Sequence, residues 1–159
     1  MKIITADLWD AHAEKLKVLP LDLKNYGGKM AFCGKIVTLK VYEDNSYVRQ
    51  TLEENGKGKV LVVDGGGSKR CALLGDNMAT LANKNGWEGI IIYGCIRDSK
   101  VLKAMRVGVK AIGTCPVRSR KQNVGAKGET LVIEGTEIIH ATYIYSDEDG
   151  VLLSKEKLL

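Results

Sequence analysis

Short apolar runs that end at glycine or charged residues alternate along the chain with segments of helical periodicity. Runs of β-branched and aliphatic residues predict buried strands, because parallel strands that are covered on both faces are apolar throughout. The four strands predicted in the first three quarters of the chain cover 36–41 (within a longer region, 30–42), 59–63, 89–93 and 109–114. Short alternating segments predict four more strands in the tail, at 130–133, 137–141, 143–145 and 150–153.

Four helices are predicted between these strands. The first starts at the N-cap Thr5, carries apolar residues to Leu16 and has ended by Pro20. The second is capped by Asp44, Asn45 or Ser46 and continues through Leu52. The others cover 76–85, with Gly86 after its end, and 99–105. The order of elements predicts an α/β fold, a single domain over residues 1–159 with a parallel βαβ middle and β-rich flanks.

Composition is that of a globular domain, with 45% hydrophobic and 27% charged residues. No apolar run is long enough to span a membrane, and the N-terminus becomes acidic too early for a secretory signal, so we expect a cytoplasmic protein. The four cysteines and two histidines show no zinc-ligand spacing, which predicts reduced and mostly buried cysteines.

The net charge of +5 is concentrated between residues 97 and 127, with nine lysines or arginines and one acid. No aromatic residue is interleaved there, so direct nucleic-acid binding is disfavoured and a solvated face that steers anions is favoured. Within this segment a loop with Arg118, Arg120 and Lys121 is a candidate for docking an acidic protein surface. This loop lacks the dyad residues described next, so we expect it to be separate from any catalytic site.

Two dyads stand out: Arg97-Asp98 comes after the strand predicted at 89–93, and Gly75-Asp76 lies where a buried strand has ended and the helix at 76–85 begins. Parallel strands would bring both dyads to one edge of the sheet, where α/β proteins bind ligands. The N–H groups of Asp76, Asn77 and Met78 at the helix start would attract a carboxylate. The guanidinium of Arg97 matches a carboxylate or enolate, and Asp98 is a hard oxygen donor for Mg²⁺ or Mn²⁺. Taken singly, the dyads are also explained as a capped turn and a local ion pair.

The three consecutive glycines at 65–67 lie outside both phosphate-binding patterns, since neither Gly-Lys-Ser/Thr at P-loop spacing nor Gly-x-Gly-x-x-Gly is present. They predict a turn with positive φ, or close packing at an interface.

The residue patterns of several segments resemble those of a known family. They are Glu43-Asp44-Asn45, the run 58–68 (GKVLVVDGGGS), Ala72-Leu73-x-Gly75-Asp76, Trp87-Glu88-Gly89, Tyr93-Gly94-x-x-Arg97-Asp98 and Pro116-Val117. Nearly the whole chain is similar to the family shared by the regulator of ribonuclease E activity A and the class II 4-hydroxy-4-methyl-2-oxoglutarate aldolases. The resemblance implies a swivelling ββα-type fold and a homotrimer with clefts between subunits.

For the site, the resemblance implies substrate binding by Gly75, Asp76, Asn77, Met78 and Arg97, catalysis by Arg97 and Asp98, and a divalent metal cation on Asp98. The activity implied is the cleavage of a 2-oxo acid with release of pyruvate, and the decarboxylation of oxaloacetate is implied as a side activity. The alternative is a regulator that inhibits RNA decay by binding ribonuclease E or its helicase partners. Val101, where many of the aldolases have an acid, and the end of the chain at Leu159 favour the regulator group, whereas the intact dyads favour the enzyme.

Overall fold

A mixed β-sheet with helices on one face forms the framework in the computed structural model, which describes residues 2–159. The helices are α1 Thr5–His12, α2 Ser46–Leu52, α3 Asp76–Lys84 and α4 Ser99–Lys103. The first eight strands are β1 Leu16–Val18, β2 Lys24–Asn25, β3 Phe32–Lys40, β4 Lys59–Asp64, β5 Ala72–Leu74, β6 Gly89–Ile96, β7 Gly108–Thr114 and β8 Ala126–Lys127. The last four are β9 Leu131–Ile133, β10 Thr136–Ile138, β11 Tyr143–Ser146 and β12 Val151–Ser154.

Strand order in the main sheet is β1-β12-β11-β3-β4-β6-β7-β2, with β5 paired to β6 and β8 paired to β3. The four central strands β3, β4, β6 and β7 run parallel, and antiparallel strands flank them on both sides. The predicted α/β class, the parallel middle and the β-rich flanks are therefore confirmed.

The apolar composition of the central strands follows from their burial on both faces. One face carries the larger apolar cluster, in which strand residues such as Leu61 and Ile92 pack with Leu52 of α2 and Met78 of α3. The opposite face packs Phe32, Val62 and their neighbours under the β9–β10 hairpin. The sheet is thus covered on both faces, and its strand ends carry the polar side chains discussed below.

Two predictions about the N-terminal segment are wrong. The first helix ends at His12, and after a 3₁₀ turn at Ala13–Lys15 residue Leu16 enters β1, which pairs with the distant β12. Thr5 is the first helical residue rather than the cap. Its N–H and its Oγ1 donate to the carboxylate of Asp147 over 2.7 and 2.6 Å. A carboxylate distant in sequence therefore caps α1, which local pattern could not show.

Other boundaries shift for similar non-local reasons. Strand β2 was not predicted, and the strand predicted over 137–141 ends at Ile138. There the chain turns through Ala141 at φ +66°, and the ring of His140 accepts the N–H of Thr38 in β3. The glycine turn is confirmed, with Gly66 at φ +68° and Gly67 at φ +70°. The four cysteines form no disulfide, as predicted.

No helix within residues 2–159 is long and apolar enough to cross a membrane.

Candidate active site

The two dyads meet at one edge of the sheet, as predicted. Gly75 follows β5 and Arg97 follows β6, and these strands are paired in parallel. The N–H of Arg97 donates to the carbonyl oxygen of Leu74 over 2.9 Å, which brings the two chain segments into register just before they diverge. From this point α3 begins at Asp76 and α4 begins at Ser99.

Asp98 contacts the start of α3 directly. Its Oδ2 accepts the N–H of Asp76 over 2.9 Å, and a Cβ placed on Gly75 would lie 2.6 Å from that same oxygen. Gly75 has an extended backbone with φ −135°, so glycine is needed here for space and not for conformation. Asp98 itself lies in the left-handed region at φ 57° and ψ 37°. This conformation is uncommon for a non-glycine residue and often marks a functional position.

This geometry refines two sequence hypotheses. Among residues 2–159 Arg97 and Asp98 form no ion pair with each other: Asp98 caps α3, and Nη1 of Arg97 lies 3.4 Å from the carbonyl oxygen of Pro116. The local ion-pair interpretation is therefore wrong. The simpler interpretation, a capped turn with Asp76 as the cap, is right about the helix start but not about the cap, because Gly75 is the N-cap and Asp76 is the first helical residue. The N–H groups of Asp76 and Asn77 already have carboxylate acceptors, Asp98 and Asp76 respectively, so an incoming anion would compete with them.

A cleft of about 550 Å³ contains every residue predicted for the site: Gly75, Asp76, Asn77, Met78, Arg97 and Asp98. Four basic side chains line it with two carboxylates, namely Arg49, Arg97, Arg118 and Lys121 with Asp76 and Asp98. A cleft with this excess of positive charge attracts small anions. A second cavity, of about 590 Å³, is lined by residues of the paired strands β1 and β12 and of the segments beside them, including Glu137, Ile139 and Thr142, and it contains none of the dyad residues.

The expectation that the 118–121 loop is separate from the site is wrong for two of its three basic residues. Arg118 and Lys121 line the same cleft as the dyads, whereas Arg120 is exposed and does not line it. Nζ of Lys121 donates to Oδ1 of Asn45 over 3.2 Å, and the Nδ2 of Asn45 in turn donates to Sδ of the buried Met78. The sequence shows that Arg118 and Lys121 are basic, but it does not show that their loop folds back over α2.

Asp44 holds the loop in this position. Its two carboxylate oxygens accept the N–H of Ser46 over 2.9 Å and the N–H of Gln122 over 2.6 Å. Burial alone would raise the pKa of Asp44, but these hydrogen bonds favour the charged form and hold the pKa below its usual range. The buried carboxylate therefore ties the start of α2 to the loop that carries Arg118 and Lys121.

The donor set suits a hard divalent cation bound mostly by water and substrate. Oδ1 of Asp98 accepts no hydrogen bond within residues 2–159, and Asp76 contributes a second carboxylate to the same cleft. Mg²⁺ and Mn²⁺ sites often use one or two carboxylates and keep several waters. No group of three His, Cys, Asp or Glu side chains that could hold a metal occurs in residues 2–159.

The fold and the cleft together define a mixed α/β protein with a basic cleft at the carboxyl ends of parallel strands. Over residues 5–153 the sequence matches the model of the RraA-like family, described as Aldolase/RraA. The chain belongs to this family, as its sequence motifs predicted.

Relatives carry different functional names. The chain is 51% identical over 159 residues to a putative 4-hydroxy-4-methyl-2-oxoglutarate aldolase of Aromatoleum aromaticum, covering 100% of both chains. A Vibrio vulnificus protein of the same name is 49% identical, with 99% of each covered. The solved structure of the RNA-processing inhibitor RraA from Thermus is 41% identical with a TM-score of 0.95, over 100% of this chain and 96% of that one. A Geobacillus kaustophilus structure named S-adenosylmethionine:2-dimethylmenaquinone methyltransferase is 49% identical with a TM-score of 0.95, over 99% and 97% of the two chains.

Proposed function

We propose that the protein is a divalent-metal-dependent aldolase that cleaves 4-hydroxy-4-methyl-2-oxoglutarate to two pyruvates. The convergence of Arg97, Asp98 and the start of α3 in one basic cleft carries this proposal. The names of relatives at about half identity over the full chain support the same substrate.

The chain's own residues would act by binding and by electrostatics. The basic lining would hold the carboxylates of a 2-oxo acid, together with the N-terminal end of α3, where the substrate would compete with the carboxylates of Asp98 and Asp76. The planar guanidinium of Arg97 would bind the pyruvyl unit in two-point fashion and stabilise the negative charge that develops on its ketone oxygen. When the carbon–carbon bond breaks, its electron pair passes into the enolate of one pyruvate, while the hydroxyl-bearing carbon loses its hydroxyl proton and becomes the ketone of the other. The enolate then takes up a proton at its terminal carbon to give the second pyruvate.

Asp98, with Asp76 nearby, would hold the divalent cation, which when bound supplies a Lewis acid for the ketone. Decarboxylation of oxaloacetate leaves the same pyruvate enolate, so we also propose this reaction as a side activity. Both substrates carry two carboxylates, which suits the four basic side chains of the cleft.

Pyruvate release from each substrate, measured with Mg²⁺ or Mn²⁺ and then with a chelator, tests the proposal. We expect turnover with metal, its loss with chelator and its recovery when metal is added back. Absence of metal-dependent turnover of both substrates would contradict the enzyme proposal.

The cleft fits this reaction better than methyl transfer. The methyl donor S-adenosylmethionine carries a sulfonium cation, which a cleft with four basic groups and two carboxylates would repel. The cleft lining also contains no aromatic side chain against which an adenine could stack.

The second candidate is a protein that inhibits RNA decay by binding ribonuclease E or its helicase partners. The similarity to the Thermus inhibitor and the exposed basic loop favour it. Charge reversal at Arg118 or Lys121 would disturb the cleft as well as the loop, so Arg120→Glu is the cleaner variant. We expect it to weaken association with an acidic partner surface and to lower its salt sensitivity while pyruvate release is retained. An unchanged affinity of Arg120→Glu for the partner would show that this loop is not part of the interface.

Both candidates are compatible with the homotrimer that we propose for the assembled protein. The cleft of one chain is open, and the apolar side chains Val101 and Val117 on its neighbouring elements are 50% and 54% exposed. A neighbouring subunit that covered them would complete the wall of the cleft. The apolar and aromatic residues Tyr143, Ile144 and Tyr145 of the tail predict a subunit interface by their type, but this prediction is wrong, because Ile144 and Tyr145 are buried in the chain's own core.

A further inference from the structure

A basic pocket of about 280 Å³ lies at the amino ends of the parallel strands, opposite the edge that carries the candidate active site. Three lysines from three different strands line it together with a histidine and one acid, namely Lys35, Lys59, Lys127, His140 and Glu54. Neither the dyads nor the basic loop reaches this pocket, so the proposed aldolase chemistry does not explain it.

Two of the lysines lie side by side on neighbouring strands. Lys35 of β3 and Lys59 of β4 are direct partners in the parallel pair, so their side chains leave the same face of the sheet side by side. Within residues 2–159 neither forms an ion pair. Like charges placed directly across a strand pair destabilise the sheet. A bound anion would remove that cost.

The remaining groups add donors and leave an excess of positive charge. Lys127 pairs with Glu54, the only acid in the lining, so no other acid of the lining balances the charges of Lys35 and Lys59. The ring nitrogen Nδ1 of His140 accepts the N–H of Thr38 over 3.2 Å, which assigns the proton of the neutral ring to Nε2 as a donor. Burial lowers the pKa of His140, and the three neighbouring lysines lower it further. The ring is therefore neutral near pH 7 and still offers one N–H.

We propose that this pocket binds a small oxyanion with two negative charges, held by the ammonium groups of Lys35 and Lys59 and by the imidazole N–H of His140. Lys127 contributes to the field of the site from its ion pair with Glu54. A phosphate group and a dicarboxylate share this chemistry, and the pocket volume accommodates either. Because the pocket lies at the opposite strand ends, occupation of this site would not block the cleft.

Calorimetric titration with inorganic phosphate and, separately, with succinate tests the proposal and distinguishes the two sources. We expect at least one of them to bind the wild-type protein, and Lys35→Gln/Lys59→Gln to weaken that binding by about tenfold or more. The double variant Lys24→Gln/Lys103→Gln removes the same charge from exposed positions outside the pocket, and it should bind like the wild type. Arg118→Gln/Lys121→Gln reports binding in the cleft instead.

Thermal unfolding provides a second measurement. Without phosphate or succinate, Lys59→Gln should unfold at a higher temperature than the wild type, because the like-charge pair is gone. The ligand that binds should raise the unfolding temperature of the wild type but not that of Lys35→Gln/Lys59→Gln. Three results would each overturn the proposal: no binding of either anion, equal weakening by the exposed-lysine control, or weakening by the cleft variant alone.

Discussion

At the scale of single residues, Gly75 and Asp98 depend on each other. The carboxylate oxygen that caps α3 occupies the space that any larger residue at position 75 would need. Gly75→Ala should therefore displace the Asp98 carboxylate without straining the backbone, which is extended at this position. We expect pyruvate release to fall by about 100-fold, because misplacement of a catalytic group by an ångström has this effect. The unfolding temperature should change little.

Gly150→Ala is the matched control for that variant, because a Cβ there would meet nothing within 4 Å. It should unfold and react like the wild type. Full activity of Gly75→Ala would show that the position of Asp98 is not critical.

Asp98→Asn separates charge from shape at the same place. Asparagine tolerates the left-handed backbone, and its amide oxygen can still accept the N–H of Asp76. The fold should thus be retained, while metal-dependent activity falls by roughly 10²–10³ with the loss of the charged ligand. Pyruvate assays over a range of Mg²⁺ concentrations, with a thermal melt, measure both effects. The exposed carboxylate of Asp10 supplies the control Asp10→Asn. Wild-type activity of Asp98→Asn in Mg²⁺ would place the metal elsewhere.

At the scale of elements, one buried carboxylate joins α2 to the loop over the cleft. Asp44→Ala removes the acceptor of the Ser46 and Gln122 N–H groups and should cost about 1–3 kcal/mol of stability. Activity should fall too, because Arg118 and Lys121 lose their anchor. Denaturant unfolding and pyruvate assays of the same preparation measure the two effects. Unchanged stability would show that the loop is held by its other contacts.

The pH dependence of stability provides a second test of the role of the Asp44 carboxylate. The pKa of Asp44 is lowered in the folded protein, so its contribution is present above the pKa of the unfolded chain, near 3.9 for an aspartate. It is lost as the pH falls through the lower folded value. The stability difference between wild type and Asp44→Ala should therefore shrink below about pH 4. A difference that stays constant down to the acid transition would contradict this assignment.

At the scale of the whole molecule, the proposed trimer would complete each cleft with a neighbouring chain. Activity per chain should then fall on dilution as trimers dissociate, in step with the mass measured by light scattering. A polar substitution of the exposed Val117, Val117→Asp, should move this transition to higher protein concentration, whereas the same change at Val132 on the distant β9–β10 hairpin, Val132→Asp, is the control. A fully active monomer would show that one chain suffices.

Local pattern was enough for much of the framework. The parallel strands β4, β6 and β7 were predicted because residues buried on both faces must be apolar. Helix α3 was predicted because its apolar residues have helical spacing and Gly86 follows its end. The two dyads could also be placed at one sheet edge, since neighbouring parallel strands end on the same side. The family could also be predicted from the sequence motifs, because motifs are recognised by residue type and spacing alone.

What local pattern could not supply were the contacts between segments distant in the chain. The capping of α1 by Asp147, the pairing of β1 with β12 and the return of Arg118 and Lys121 into the cleft each join residues that periodicity treats independently. The same holds for the pairing of Lys35 with Lys59, because a lysine in one strand does not specify its neighbour in the next. The sequence by itself determined which elements form and which chemistry they carry. Only the tertiary structure decided which charges meet, because register and loop packing depend on the whole sheet.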